Sequence, residues 1–336
     1  MLPGNAARDH LGLLDAAVRF EPFHRPRYRQ PIRQLATAIQ ILRTVRAYKP
    51  DVIHFQNGHL YFNFVLPLLS RFPLVVTIHD VRHHLGDHES LLTPQAIMDY
   101  GFKKAGRVIV HGADLKSTVV EELGFQQQHV HVIPHVAIGE RATINPCVDD
   151  GNTLLFFGRI WEYKGLDYLI QAEPKISEEF PDLRIVIAGK GEDFDRYTRM
   201  MVHPDRFEVH NEWISDDQRT QMFASASVVV LPYVEASQSG VIPIAYTYEK
   251  PVIATRTGGL PEMVNHGRTG LLVPPRDSNA LAEAAIELLR DKQKRIAMGK
   301  AGKAKLDREC SAEVVTRQTL DVYRQAIEDF GAAAPK

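Results

Sequence analysis

The chain has no apolar run approaching the roughly 18 residues that a membrane-spanning helix needs. That excludes a transmembrane helix as its organising feature. Cysteine is almost missing: Cys147 and Cys310 are the two present, and they match no metal or redox spacing. Charge of one sign is not in excess either. The formal net charge of −1 removes any general electrostatic reason to expect nucleic acid as a partner. The first residues lack the charged-then-apolar pattern of a secretory leader, so cytoplasm is the expected compartment. No internal repeat or low-complexity tract is present, apart from a small Ala-rich tail after Gly331. What remains is an ordinary globular composition, 44% apolar and 24% charged, over 336 residues. That length exceeds the usual single domain, so two are expected.

The order of elements points to an α/β fold. Apolar residues recur with a helical period at Ile32, Leu35, Ala36, Ile39, Leu42 and Val45, and Pro50 ends that helix. Short apolar stretches at 51–55, 74–78, 108–111 and 130–133 read as buried strands. Helices are expected at 62–69 and 114–123, the second closed by Gly124. Residues 144–152, with Asn145-Pro146 and Asp149-Asp150-Gly151, read as a linker. The pattern then restarts, with strands at 153–157, 183–188, 207–210, 228–231 and 251–255. Helices are expected at 165–177, 218–224, 280–289, 296–306 and 312–330. Such alternation predicts two doubly wound parallel sheets covered by helices.

In open parallel sheets, ligands bind at the carboxyl ends of the strands, and the polar residues of this chain collect there. Gln56 follows one expected strand, and His79 and Asp80 follow another. In the second half the candidates are Gly158 and Arg159, then Gly189, Lys190 and Gly191, then Glu235. Arg159 and Lys164 place two cations across a strand-to-helix turn, where a helix N-terminus disfavours positive charge. Their presence there suggests an anionic ligand such as a diphosphate, gripped by the Arg fork and the Lys point charge. Two surface cations are the plainer alternative. The run from Leu231 to Pro275 adds Glu235 on a loop lined by small residues. The backbone amides of Ser239, Gly240 and Val241 at a helix start offer a phosphate site. An anion site beside a lone carboxylate suits a nucleotide sugar. Glu262 reads as a cap of the helix that follows it.

Two local biases need weighing. Twelve of fifteen histidines precede residue 136, and His79, His83, His84 and His88 share one stretch. On a helix these would form i, i+4 metal pairs. A strand precedes them, however, and Gly86 interrupts any helix, so a polar loop facing a cleft is the preferred reading. His79 suits a contact to a sugar hydroxyl or acid/base work, with a buried structural histidine as the alternative. Residues 1–50 carry nine Lys/Arg against three Asp/Glu. Among them Arg25, Arg27, Arg29 and Arg33 interleave with Phe20, Phe23 and Tyr28. That cluster fits either a solvated face or contact with anionic headgroups or an anionic acceptor.

The segments GRIWEYKG, IAGKGE, SQSGVIPIAY and GGLPEMVNHGRTGLLVPP, with TIHD upstream and VYRQAI near the end, resemble the retaining glycosyltransferases of family four. The resemblance covers most of residues 51–330. It implies a GT-B fold: two facing Rossmann-like domains with an interdomain cleft. These would be an acceptor-side domain over 1–145, a nucleotide-sugar domain over 151–310, and a helix at 311–330 crossing back. It implies sugar transfer from a nucleoside diphosphate donor with retention, without metal or other cofactor. Arg159 and Lys164 would hold the diphosphate, Glu235 the donor sugar, and His79 would contact that sugar from the acceptor side. The implied partners are the nucleotide sugar and a glycan or lipid-linked acceptor, with peripheral membrane contact at the inner face.

Two departures bear on this. Many members carry a second Glu eight positions after the first, which grips the donor ribose; here that position is Pro243. The family's opening strand and Gly-rich loop are also not evident in MLPGNAARDHLGLLDAAVRF, so the first β–α unit is expected to be absent. A sugar-nucleotide-binding protein with little turnover therefore stays open, as does another GT-B enzyme such as an inverting transferase or an epimerase.

Overall fold

A computed structural model describes residues 2–3, 15–23, 26–27, 29–56, 60–63, 65–84, 94–137, 151–191 and 193–333. Runs of Val, Ile and Leu make its most buried strands. Leu74–Thr77, Arg107–Val110, Val228–Leu231, Val252–Thr255 and Gly270–Val273 are buried along their whole length. Burial on both faces, without alternation, is what a helix-covered parallel sheet requires.

The first sheet has four parallel strands in the order Ile53–Gln56, Leu74–Thr77, Arg107–Val110, Val130–Val132. The second has six parallel strands in the order Gly270–Val273, Val252–Thr255, Val228–Leu231, Thr153–Phe157, Arg184–Ala188, Phe207–His210. Spatial order follows sequence order throughout the first sheet. In the second it reverses beside Thr153–Phe157: the chain builds outward to Phe207–His210, then returns to the other side with Val228–Leu231. Leu2–Pro3 pairs in parallel with Pro22–Phe23, apart from both sheets. The expected absence of a first β–α unit concerns a stretch whose residues 4–14 lie outside the described ones, as do most of the linker 144–152, Arg25, Tyr28, Gly86 and His88.

Helices cover both sheets. Pro31 begins the helix Pro31–Tyr48, where its missing N–H costs nothing, and Gln34, Ala38, Ile41 and Val45 form its buried face. Gly124 closes Ala113–Leu123 in the left-handed region. Ala312–Ala333 returns to the first sheet, where Val322 and Ala326 pack with Val75, Ile109 and Ile133. Some elements differ from the sequence expectation. The helix expected at 62–69 is instead Leu60–Asn63 followed by a 3-10 turn, Leu66–Leu69, because Pro67 cannot continue the first hydrogen-bond ladder. Gln95–Phe102 is helical although Gly101 and its mixed polarity gave little pattern. Gly270–Val273 is an edge strand, between Gly267 and Pro274, that the sequence pattern did not mark.

Candidate functional site

The switch in strand order of the second sheet lies between Thr153–Phe157 and Val228–Leu231, and the loops leaving these two strands diverge there. A switch point opens a crevice at the carboxyl ends, which is where open α/β sheets bind ligands. Gly158 and Arg159 leave the first of these strands and Tyr233 to Glu235 leave the second. The Tyr163 carbonyl ties the loops together by accepting from the Val234 N–H at 2.8 Å and from the Glu235 N–H at 3.4 Å. On the other side, the 158 turn packs backbone to backbone against the 189 turn. Gly189 has φ 143°, and a Cβ there would stand 2.0 Å from the Gly158 carbonyl oxygen, so only glycine fits. Gly191 is fixed as well, donating its N–H to Asn211 Oδ1 at 2.8 Å.

Lys164 is half-buried, its Nζ 3.8 Å from the centre of the Tyr233 ring and 4.9 Å from that of Tyr163. Such cation–π contacts steer an ammonium without neutralising it. Burial, opposed by Tyr163 and reinforced by the nearby Arg159 guanidinium, pushes the Lys164 pKa down to about 8. An arriving anion would relieve that strain on its charge. Arg159 is exposed at the same edge. Burial pushes the Tyr233 phenol up to about 12, so it remains a neutral donor facing Ser239 Oγ at 3.5 Å. Ser239 is itself buried, and its Oγ accepts from the Val241 N–H at 3.2 Å. That corrects one expectation: of the three amides assigned to phosphate, Val241's is already taken by a side chain.

The first sheet faces this edge. Asp80 Oδ1 lies 2.9 Å from His84 Nε2, and Asp80 also accepts a hydrogen bond from Ser237 of the second half. Burial works to raise the Asp80 pKa, but the bond and charge of His84 and the Ser237 hydroxyl outweigh it and hold the carboxyl low. The His84 ring stacks on Tyr163 at 4.7 Å, and its Nδ1 is 3.9 Å from Glu235 Oε2. Behind this contact, Gln56, His79, His111 and His135 stand at the carboxyl ends of four neighbouring strands. Gln56 Oε1 is 2.9 Å from His79 Nε2. Burial lowers the pKa of His79, and takes His111 to about 3 and His135 to about 4, so all three rings are neutral at physiological pH. A cavity of about 130 Å³ adjoins them, lined by residues of both halves including His111, His135, Gln238, Pro243 and Glu262. A larger hollow of about 460 Å³ lies at the opposite strand ends, beside Leu74 and Arg107, and is remote from this edge.

The family described as Glycosyltransferase Family 4 matches residues 3–136, and Glycosyl transferases group 1 matches residues 151–291. An uncharacterized glycosyltransferase of Methanocaldococcus jannaschii is 30% identical, covering 84% of this chain and 77% of its own. The chain belongs to glycosyltransferase family 4. It is a glycosyltransferase that uses a nucleotide-sugar donor. Its fold is that of a glycosyltransferase from Rickettsia africae (TM-score 0.71, 16% identity, covering 92% of this chain and 85% of that one). It is also that of Anabaena HepE solved with UDP-glucose (TM-score 0.67, 20% identity, 93% and 85%). The GT-B architecture expected from the motifs is thus the one found. Among the described residues, no helix is long and apolar enough to cross a membrane.

In this glycosyltransferase the residues singled out from sequence fall into two groups. Gly158, Arg159, Lys164, Gly189, Gly191, Glu235, Ser239, Gly240 and Val241 edge the second sheet; Gln56, His79 and Asp80 edge the first. Glu262 differs from expectation. Instead of capping its own helix, its two carboxylate oxygens accept from the Ala113 and Asp114 N–H groups at 2.7 and 2.8 Å, capping Ala113–Leu123 across the cleft. His84, His111 and His135 were not assigned from sequence. The strand-end rule that found His79 applies equally to His111 and His135, which follow the next two strands.

Proposed function

We propose that this glycosyltransferase transfers a sugar with retention of anomeric configuration from a nucleoside diphosphate sugar to a glycan, lipid-linked or small-molecule acceptor. The observation that carries this reading is the convergence of Arg159, Lys164 and Glu235 at the switch point, opposite His79 and Asp80. In this mechanism Arg159 and Lys164 neutralise the diphosphate as its bond to the anomeric carbon breaks. Fixed cations in a partly dry site stabilise that developing charge more than water does. Glu235 accepts hydrogen bonds from the donor sugar's hydroxyls. The Gly158 and Gly189–Gly191 turns, with Ser239 and Gly240, shape the wall against the donor phosphates. The acceptor oxygen attacks from the face the phosphate leaves; its proton passes to the departing phosphate oxygen, and the broken bond's electron pair stays on that oxygen. No side chain then needs to act as base, and His79 positions the sugar.

Pro243 sits in the cavity wall where a ribose-gripping carboxylate is usual in the family, which favours the second reading, a donor-binding protein with little turnover. A lipid-linked or anionic acceptor is supported by the helix Pro31–Tyr48, which exposes Ile32 (83%), Leu35 (62%) and Ile39 (40%) beside the exposed Arg33, Arg43 and Arg46. Calorimetry with UDP-, GDP- and ADP-sugars, on the native chain and Arg159→Ala, tests the donor site. Tight binding of one donor class, lost in the variant, is the expected result; binding of none overturns both readings. NMR of the product's anomeric configuration then separates retention from inversion, and absence of product selects the binding protein.

A further inference from the structure

Three consecutive parallel strands of the first sheet, Leu74–Thr77, Arg107–Val110 and Val130–Val132, each deliver a histidine to the same edge: His79, His111 and His135. Each offers one ring nitrogen, and these nitrogens lie within 4.8 Å of one another. The ring centres are 3.9 Å apart for His111 and His135, 4.9 Å for His79 and His111, and 5.6 Å for His79 and His135. Two of the rings are held from behind. His111 Nδ1 is 2.8 Å from the Ile133 carbonyl oxygen, which can only accept, so Nδ1 carries the proton and Nε2 presents a lone pair. That Nε2 is buried and has no hydrogen-bond partner among the described residues. His79 Nε2 likewise faces the amide oxygen of Gln56, which leaves Nδ1 as its lone pair. Donation of the far ring N–H to a carbonyl is the arrangement that fixes tautomer and orientation in histidine metal ligands.

We propose that His79, His111 and His135 bind one divalent transition-metal ion of the zinc class, with the fourth coordination position open toward the cleft. Three imidazoles and an exchangeable fourth ligand make a tetrahedral zinc set. Zinc–nitrogen bonds of about 2.0–2.1 Å put tetrahedral ligand atoms ~3.3 Å apart, so the rings must draw together by roughly an ångström on binding. The site has a consequence that rests on the transfer reading above. A metal on His79 removes that ring from the donor sugar, so the ion acts as an inhibitor and not as a cofactor.

Cobalt(II) titration of the full-length chain tests the site without reference to turnover. One equivalent is expected to give the visible absorption of a four-coordinate site, displaced by zinc. His111→Gln and His135→Gln, each checked for folding by circular dichroism, should bind at least tenfold more weakly, while His210→Gln on the second sheet binds like the native chain. Absence of the absorption, or native affinity in a folded His135→Gln, overturns the proposal. Where transfer is measurable, zinc should slow the native enzyme and leave His135→Gln at its own zinc-free rate. Zinc binding without donor binding would refute the transfer reading and leave the metal site standing.

Discussion

The two sheets meet the cleft with different chemistry. The second presents cations and turn backbone where strand order reverses: Arg159, Lys164, and the loops at 158, 189 and 239. The first has no reversal among its described strands and presents side chains, Gln56, His79, His111 and His135, one from each strand end. A reversal opens a crevice that the main chain can line. An unreversed edge has no such crevice, and whatever it contributes must come from side chains standing on a flush row. The difference predicts that damage to the second sheet's edge abolishes grip on the donor, while damage to the first sheet's edge impairs reaction and leaves that grip intact.

The largest effect should come from the second sheet. On the proposed mechanism Arg159→Ala and Lys164→Ala each remove one cation from the diphosphate, and kcat/KM should fall by about 10²–10³. Calorimetric donor affinity should fall with it. Unchanged donor binding in both variants would place the phosphate elsewhere. His79→Ala sharpens the comparison from the other side. Its kcat should fall by about 10² while donor Kd stays within about twofold, if the residue acts, as proposed, on the positioned sugar and not on the phosphates. An equal loss in Kd would erase the distinction between the two edges.

This division also explains what was legible in the sequence. Arg159, Lys164 and Glu235 lie within short segments that also hold glycines whose identity backbone geometry forces: at Gly189 a Cβ would collide with the Gly158 turn. Those constraints leave a local pattern. His111 and His135 share no segment with His79, and only the parallel register of three strands brings them together. The stretch IHDVRHHLGDH directed attention to neighbours in sequence, whereas the ring partners of His79 lie on other strands. Glu262 was hidden for a related reason. A Glu in a first helical turn fits a local cap, and nothing local says that the helix it serves begins at Ala113 in the other half. The sheets themselves were legible because doubly buried strands read as apolar runs; Gly270–Val273, equally buried but only four residues long between Gly267 and Pro274, escaped that reading, as did the short pair Leu2–Pro3 and Pro22–Phe23.

Acid should separate the halves. His54, His111, His131 and His135, all in the strands of the first sheet or at their ends, have pKa values lowered from 6.5 to about 4, 3, 4 and 4, chiefly by burial. Below pH 6.5 the unfolded chain takes up protons that the folded one refuses. Their stabilising effect is therefore complete above that pH and is lost progressively as pH falls toward 4. Each such histidine costs up to about 1.4 kcal/mol per pH unit in that window. His54 also bridges Tyr323 of the last helix and Thr77, each at 2.7 Å, so that helix should loosen together with the sheet. Amide exchange at pH 7 and pH 5 should show the first sheet losing up to about 2 kcal/mol of protection for each such histidine, relative to the second. Equal losses in both sheets would contradict this assignment.

The smallest effect concerns the contact that joins the halves. Glu262 caps Ala113–Leu123 from across the cleft, and the approach is close: a Cβ on Gly112 would stand 2.3 Å from Gln238 Nε2 and 3.1 Å from Glu262. Removing the carboxylate by Glu262→Ala forfeits a helix cap, worth about 1 kcal/mol. The capped helix and the capping residue belong to different halves, so this loss should weaken closure more than it weakens either fold. It should therefore appear as a KM about fivefold higher, at an amide-exchange protection of each sheet that is nearly native. Gly112→Ala should do less, on the order of 0.5 kcal/mol, because the atom in its way ends a flexible side chain that can swing aside. Were Glu262→Ala to lower the protection of both sheets and leave KM alone, the carboxylate would be part of the fold's stability and not of the closure between its halves.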